Sequence, residues 1–132
     1  MHITPIDTVQ ISHTLKCISD PLRLRILNLL AAGPLCVCHI QEILQATQVR
    51  ISKQLARMKQ HGLITAKREG TWMIYQLKEP VNGILQANLC SFRSGACPEL
   101  EEDIQARKKL VERIKSAPND CPAPVCQSIG CC

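Results

Sequence analysis

The stretch between residues 47 and 77 constrains the fold more than any other part of this 132-residue chain. Residues 49–61 place Ile51, Leu55 and Met58 at i, i+4 and i+7, the spacing of one helical face, and Gly62 follows as a helix terminator. Directly beyond it, Leu63-Ile64-Thr65-Ala66-Lys67-Arg68 and Thr71-Trp72-Met73-Ile74-Tyr75-Gln76-Leu77 are β-prone runs separated only by Glu69-Gly70, a hairpin signal. Upstream, residues 36–45 have the pattern of a short helix with Val37, Ile40 and Ile43/Leu44 inward, joined by the tight connection Ala46-Thr47-Gln48. Two helices at a tight turn followed by a hairpin is the order of a winged helix-turn-helix. The expected fold is therefore mainly α with a small β-hairpin wing.

The flanks fit one domain, which at this length is all the chain has room for. Ile11, Leu15 and Ile18 mark a first helix over residues 9–18, and Asp20 with Pro21 is a start signal for a second, striped by Leu22, Ile26, Leu29 and Leu30. After Pro80, Ile84, Leu85 and Leu89 give a further helix to about Phe92, and Ser94-Gly95-Ala96-Cys97-Pro98 breaks it. Residues 99–115 carry acids at the front (Glu99, Glu101, Glu102, Asp103) and bases at the end (Lys108, Lys109, Arg113, Lys115), an arrangement that complements a helix dipole. The domain is expected over residues 1–115, with 116–132, rich in Pro and Cys, as a flexible tail.

No stretch approaches the ~18 apolar residues of a membrane span, and Met1-His2-Ile3-Thr4-Pro5 lacks the basic and apolar regions of a signal peptide. A cytoplasmic protein without a membrane partner is expected. Nine cysteines in that reducing compartment point to metal or redox chemistry over a disulfide framework. With no Cys-x-x-Cys and no Gly-rich phosphate loop, an enzyme is not expected, nor is a required cofactor.

Net charge is +5, and from Ile43 to Arg68 there are six basic residues and no acid (Arg50, Lys53, Arg57, Lys59, Lys67 and Arg68). A one-signed run of this kind is the footprint of a phosphate-binding face. In a helix-turn-helix the first residues of the second helix reach base edges, which selects Thr47, Gln48, Arg50, Ser52, Lys53 and Gln54. Arginine forks to guanine, glutamine pairs with adenine, and hydroxyls suit phosphates or bases. Lys67 and Arg68 near the hairpin tip would lay positive charge on the flanking backbone.

Asp20-Pro21-Leu22-Arg23-Leu24-Arg25-Ile26-Leu27, Leu35-Cys36-Val37-Cys38, Ile51-Ser52-Lys53-Gln54-Leu55, Gly62-Leu63-Ile64 and Gly70-Thr71-Trp72-Met73-Ile74-Tyr75-Gln76-Leu77 resemble the ArsR family of metalloregulatory repressors. The likeness covers roughly residues 10 to 92, and Leu-Cys-Val-Cys places it nearest the arsenic and antimony sensors. The resemblance implies a homodimer formed by the first and last helices. It also implies a palindromic double-stranded operator, released when As(III) or Sb(III) binds cysteine thiolates. Three positions depart from that pattern. Cys36-Val37-Cys38-His39-Ile40-Gln41 lacks the third sulfur of Cys-Val-Cys-Asp-Leu-Cys, Gln54 stands where His is common, and Val49 where Pro is common. Residues 99–115 contain no His, so the last-helix zinc site of another branch is not expected.

Cys36 and Cys38 are the expected metal ligands, since thiolates suit soft ions. Residues i and i+2 of a regular helix do not face each other, whereas in an extended segment they share a side. Capture of one atom by both sulfurs thus requires an extended chain or a distorted first helical turn, and that distortion would displace the recognition helix. Candidates for a third ligand are His39, Cys17, Cys90, Cys97 and the tail thiols Cys121, Cys126, Cys131 and Cys132. Cys90 with Cys97 is the second-choice site, Cys17 is expected to pack within the first helix, and His61 to cap a helix end. The alternatives are the same fold responding to methylated arsenicals or thiol oxidation, or a cysteine-rich metal-buffering protein.

Overall fold

A computed structural model describes residues 5–116 of the chain. Its elements run α1 (Thr8–Ile18), α2 (Pro21–Ala31), β1 (Leu35–Cys36), α3 (Val37–Leu44), α4 (Gln48–Gln60), β2 (Ile64–Glu69), β3 (Trp72–Leu77), α5 (Gly83–Phe92) and α6 (Pro98–Ser116). The segment expected as a tail lies, from residue 117 on, outside the described residues. Among the described residues no helix is long and apolar enough to cross a membrane.

Helix starts are set by side chains that accept otherwise orphaned amides. Asp7 accepts from Gln10 N at 2.8 Å while Gln10 Oε1 accepts from Asp7 N at 2.9 Å, closing a capping box on α1. Asp20 accepts from Arg23 N at 3.0 Å with Pro21 as the first helical residue of α2. Thr47 caps α4 and Asn82 caps α5 in the same way. At its far end α4 stops at His61, the C-cap, and Gly62 takes φ +74°, a left-handed conformation that glycine adopts without a Cβ penalty.

The core is aliphatic. Ile51, Leu55 and Met58 of α4 are wholly buried, as are Ile26, Leu27 and Leu29 of α2 and Ile40 of α3. The expected stripe on α4 is thus the buried face, which turns Arg50, Ser52, Lys53, Arg57 and Lys59 to solvent. On α1 the pattern is different: Thr14 and Cys17 are buried, whereas Val9 and Leu15 are exposed. The helix packs one side on α2 and α5 and leaves an apolar edge bare.

The wing is larger than a hairpin. The sheet has three antiparallel strands in the order β1-β3-β2. β2 and β3 pair from Ile64↔Leu77 to Glu69↔Trp72 around the turn at Gly70, where φ is +60°. Leu35 and Cys36 pair with Tyr75 and Ile74 on the other edge of β3. This corrects the expectation of a helix beginning at Cys36. Leu35 and Cys36 are both buried and extended against the free edge of β3, and the helix begins at Val37. A two-residue strand is too short to leave a period-2 pattern.

The last helix, α6, is folded back on α2 and α3 of its own chain. Arg25 of α2 donates through Nε and Nη2 to the two oxygens of buried Asp103, both at 2.9 Å. Arg113 donates to both oxygens of Glu42 on α3, at 2.9 and 2.7 Å. The helices beside α1 are α2 and α5.

Candidate thiol site and nucleic-acid interface

Cys36 and Cys38 straddle the junction between strand and helix. Cys36 is the last residue of β1 and the N-cap of α3, with φ −83° and ψ 160°, and Cys38 is the second residue of the helix. The sulfurs of Cys36 and Cys38 and a ring nitrogen of His39 all lie within 4.8 Å of one another. The extended chain at Cys36 therefore already provides the convergence that a regular helix denies, and no opening of the helix is needed to bring the sulfurs to one side. An atom equidistant from three donors at that separation would sit about 2.8 Å from each, whereas thiolate and imidazole bonds to a metal run ~2.0–2.3 Å. Closing that gap takes small side-chain movements.

Among the described residues this is the one group of three ligand side chains within an ion's reach. The other candidates lie elsewhere. Cys17 is buried in α1, where burial pushes its thiol pKa up against the lowering pull of Arg23 and Arg57. Cys90 is exposed on α5 and accepts a hydrogen bond from Gln86 Nε2 at 3.5 Å, and Cys97 is half-buried just ahead of α6. Cys121, Cys126, Cys131 and Cys132 lie outside the described residues.

The Cys38 thiol is lowered to about 7. A hydrogen bond from the Cys36 thiol is the main cause, aided by the amides of His39 and Cys38 itself at the helix N-terminus, while partial burial and Glu42 oppose it. His39 is buried, and its Nδ1 accepts from the Cys36 amide at 3.4 Å, a long bond. The ring also stacks on Trp72, centroids 6.4 Å apart at 25°. Trp72 opens β3, so the thiol site, the wing and α3 meet at one point. Sequence reasoning missed Trp72 and the tie from Glu42 to Arg113, because both depend on long-range placement that local spacing does not encode.

On the nucleic-acid side, Thr47, Gln48, Arg50, Ser52 and Lys53 are exposed along the first turns of α4. Thr47 is the N-cap, its hydroxyl accepting from Arg50 N at 3.3 Å. Gln54 differs: it is half-buried, and its Oε1 accepts from Arg23 Nη1 at 2.9 Å. Arg23 also donates to the backbone oxygens of Cys17 and Lys16, so it braces α1 and α2 against α4. Lys67 and Arg68 are exposed on β2, with Lys67 Nζ 3.3 Å from Glu69.

Residues 20–66 match the family profile described as bacterial regulatory protein, arsR family. The chain is 40% identical over 77 residues to the arsenical resistance operon repressor of Bacillus subtilis, covering 57% of this chain and 73% of that protein. It is 35% identical over 80 residues to the repressor of the same name from Staphylococcus xylosus, covering 61% and 77%. Among solved structures it is similar to the antimony-specific transcriptional repressor AntR, with TM-score 0.56 and 26% identity over 70% of this chain and 86% of that one. It is also similar to a homodimeric winged helix-turn-helix DNA-binding domain from Mycobacterium bovis, with TM-score 0.56 and 28% identity over 70% and 83%.

Proposed function

The chain belongs to the arsR family of bacterial regulatory proteins, and from that premise we propose that it is a DNA-binding repressor that leaves its operator when trivalent arsenic or antimony binds Cys36 and Cys38. The observation that carries this reading is the convergence of Cys36, Cys38 and His39 at the strand-helix junction where α3 meets the wing. Cys38, held near neutrality, supplies a thiolate for the first bond, and Cys36 closes the chelate. His39 is the third donor in reach, in place of the sulfur that family arsenic sensors often carry.

The DNA face consists of Thr47, Gln48, Arg50, Ser52 and Lys53 on α4 with Lys67 and Arg68 on the wing, while Gln54 acts by holding α4 to Arg23. A homodimer would present two such faces to a palindromic operator. In this reading its surface includes α1, which leaves Val9 and Leu15 exposed. The working compartment in this reading is the cytoplasm.

Inducer and DNA are linked through one protomer, so their affinities must change reciprocally. Arsenite titrated into the free protein should bind more tightly than into the DNA complex, by the same factor by which it weakens DNA binding. A protein that only buffers metal would show equal affinity in both titrations, and that result would end the proposal.

A further inference from the structure

A cleft of about 270 Å³ opens beside the two thiols. Besides Cys36 and Cys38 it is lined by Val37 and Gln41 of α3, Gln48 of α4, Thr71 of the wing turn, and Trp72 and Met73 at the start of β3. Trp72, Met73 and Val37 are each half-buried, so part of the lining shared with the two thiols is apolar, beside the polar Gln41, Gln48 and Thr71. For scale, an apolar cavity of about 150 Å³ is enough to hold benzene. Neither thiolate chemistry nor DNA binding requires apolar lining at this place.

The donor count leads to the same place. Trivalent arsenic makes three bonds, and the described residues bring two sulfurs together with one buried imidazole. A compound that carries one As–C bond fills the third position itself and needs only the two thiols. We infer that the cleft receives the organic substituent of a monoorganoarsenic(III) compound, with an aryl group preferred over methyl. This rests on the function proposed above and names its ligand class.

The step balances without an oxidant. In R–As(OH)2 two As–O bonds break and two As–S bonds form to Cys36 and Cys38, the thiol protons leave with the hydroxyls as two waters, and arsenic stays trivalent. The As–C bond is untouched and points its substituent at Trp72 and Met73, where a ring stacks on indole and meets a thioether. Methyl would cover little of that surface. The lining explains why such a ligand reaches DNA binding. Gln48 is the first residue of α4 and Thr71 belongs to the wing turn, so a ring in the cleft presses directly between the two DNA-reading elements.

Phenylarsine oxide, methylarsonous acid and arsenite, each titrated into the protein bound to DNA from upstream of its own coding sequence, test this. Phenyl and methyl use the same two thiols, so their ratio reports the cleft alone. The half-release concentration should be at least tenfold lower for phenylarsine oxide than for methylarsonous acid. That ratio should fall toward one in Trp72→Ala, which strips apolar lining, and in Thr71→Trp, which crowds the cleft from an exposed turn position. Taking the ratio within each variant cancels any effect on DNA affinity. Equal potency of phenyl and methyl in the unaltered protein, or a ratio indifferent to both substitutions, overturns the inference while release by arsenite leaves the repressor reading standing. If none of the three compounds releases DNA, the repressor reading itself fails.

Discussion

Cys36 stands opposite Ile74 in the pairing of β1 with β3, so the first sulfur of the thiol site is a residue of the wing sheet. One position later the chain turns into α3, which carries Cys38 and packs on α4. Any atom that draws Cys36 and Cys38 together pulls the wing and α3 against each other. In the proposed mechanism, release of DNA needs only a small relative shift of α4, which carries Arg50, and the wing, which carries Arg68, because hydrogen bonds depend on distances of a few tenths of an ångström.

Cys38 should be the first thiol to react with an alkylating agent at neutral pH. With its pKa lowered to about 7, its rate of reaction with iodoacetamide should rise through an inflection near that pH and level off above it. Cys17, buried and shifted up, should stay unreactive in the folded protein. Replacing Cys36 with Ala removes the largest lowering cause and should move the Cys38 inflection upward. Peptide mass mapping across a pH series reads all three.

On the DNA face, Arg50→Ala should weaken operator binding by about 1–3 kcal/mol, the range for a lost base contact. Lys67→Ala should weaken it less and reduce the salt slope by under ~1, because Glu69 already lies 3.3 Å from the ammonium. Anisotropy titrations over a range of salt concentrations separate the two. An affinity unchanged by Arg50→Ala would remove the first turns of α4 from the interface.

The two ion pairs that hold α6 should differ in weight. Asp103 is buried and bound by both arms of Arg25, itself one-quarter exposed, so Asp103→Ala should destabilise the fold by about 2–3 kcal/mol, somewhat under the figure for a fully buried pair. Arg113 and Glu42 are exposed, and Glu42→Gln should cost less than ~1 kcal/mol. Urea unfolding of both variants checks the ranking. Comparable losses would contradict the ranking and mean that the two pairs hold α6 equally.

Much of this was legible in the chain itself. Ile51, Leu55 and Met58 at helical spacing, closed by Gly62, identified α4 and turned its basic residues outward; Asp20-Pro21 marked the start of α2. What local pattern could not carry was the strand at Leu35-Cys36, since its partner Tyr75-Ile74 lies forty residues away in sequence. The same blindness hid the Arg23 bond that occupies Gln54 and the fold-back of α6, both made by contacts distant along the chain. The difficulty raised by the i, i+2 spacing of the sulfurs came from assuming that both belong to a helix. Cys36 belongs to the sheet.

The central claim is that Cys36 and Cys38 together convert arsenic binding into loss of DNA. The most direct measurement is arsenite-driven release of a fluorescent operator fragment from the unaltered protein and from the Cys36→Ser/Cys38→Ser variant. Both should bind the fragment with similar affinity, and arsenite should free it only from the unaltered protein. Release from the double variant at the same arsenite concentration would place the switch elsewhere and contradict the account.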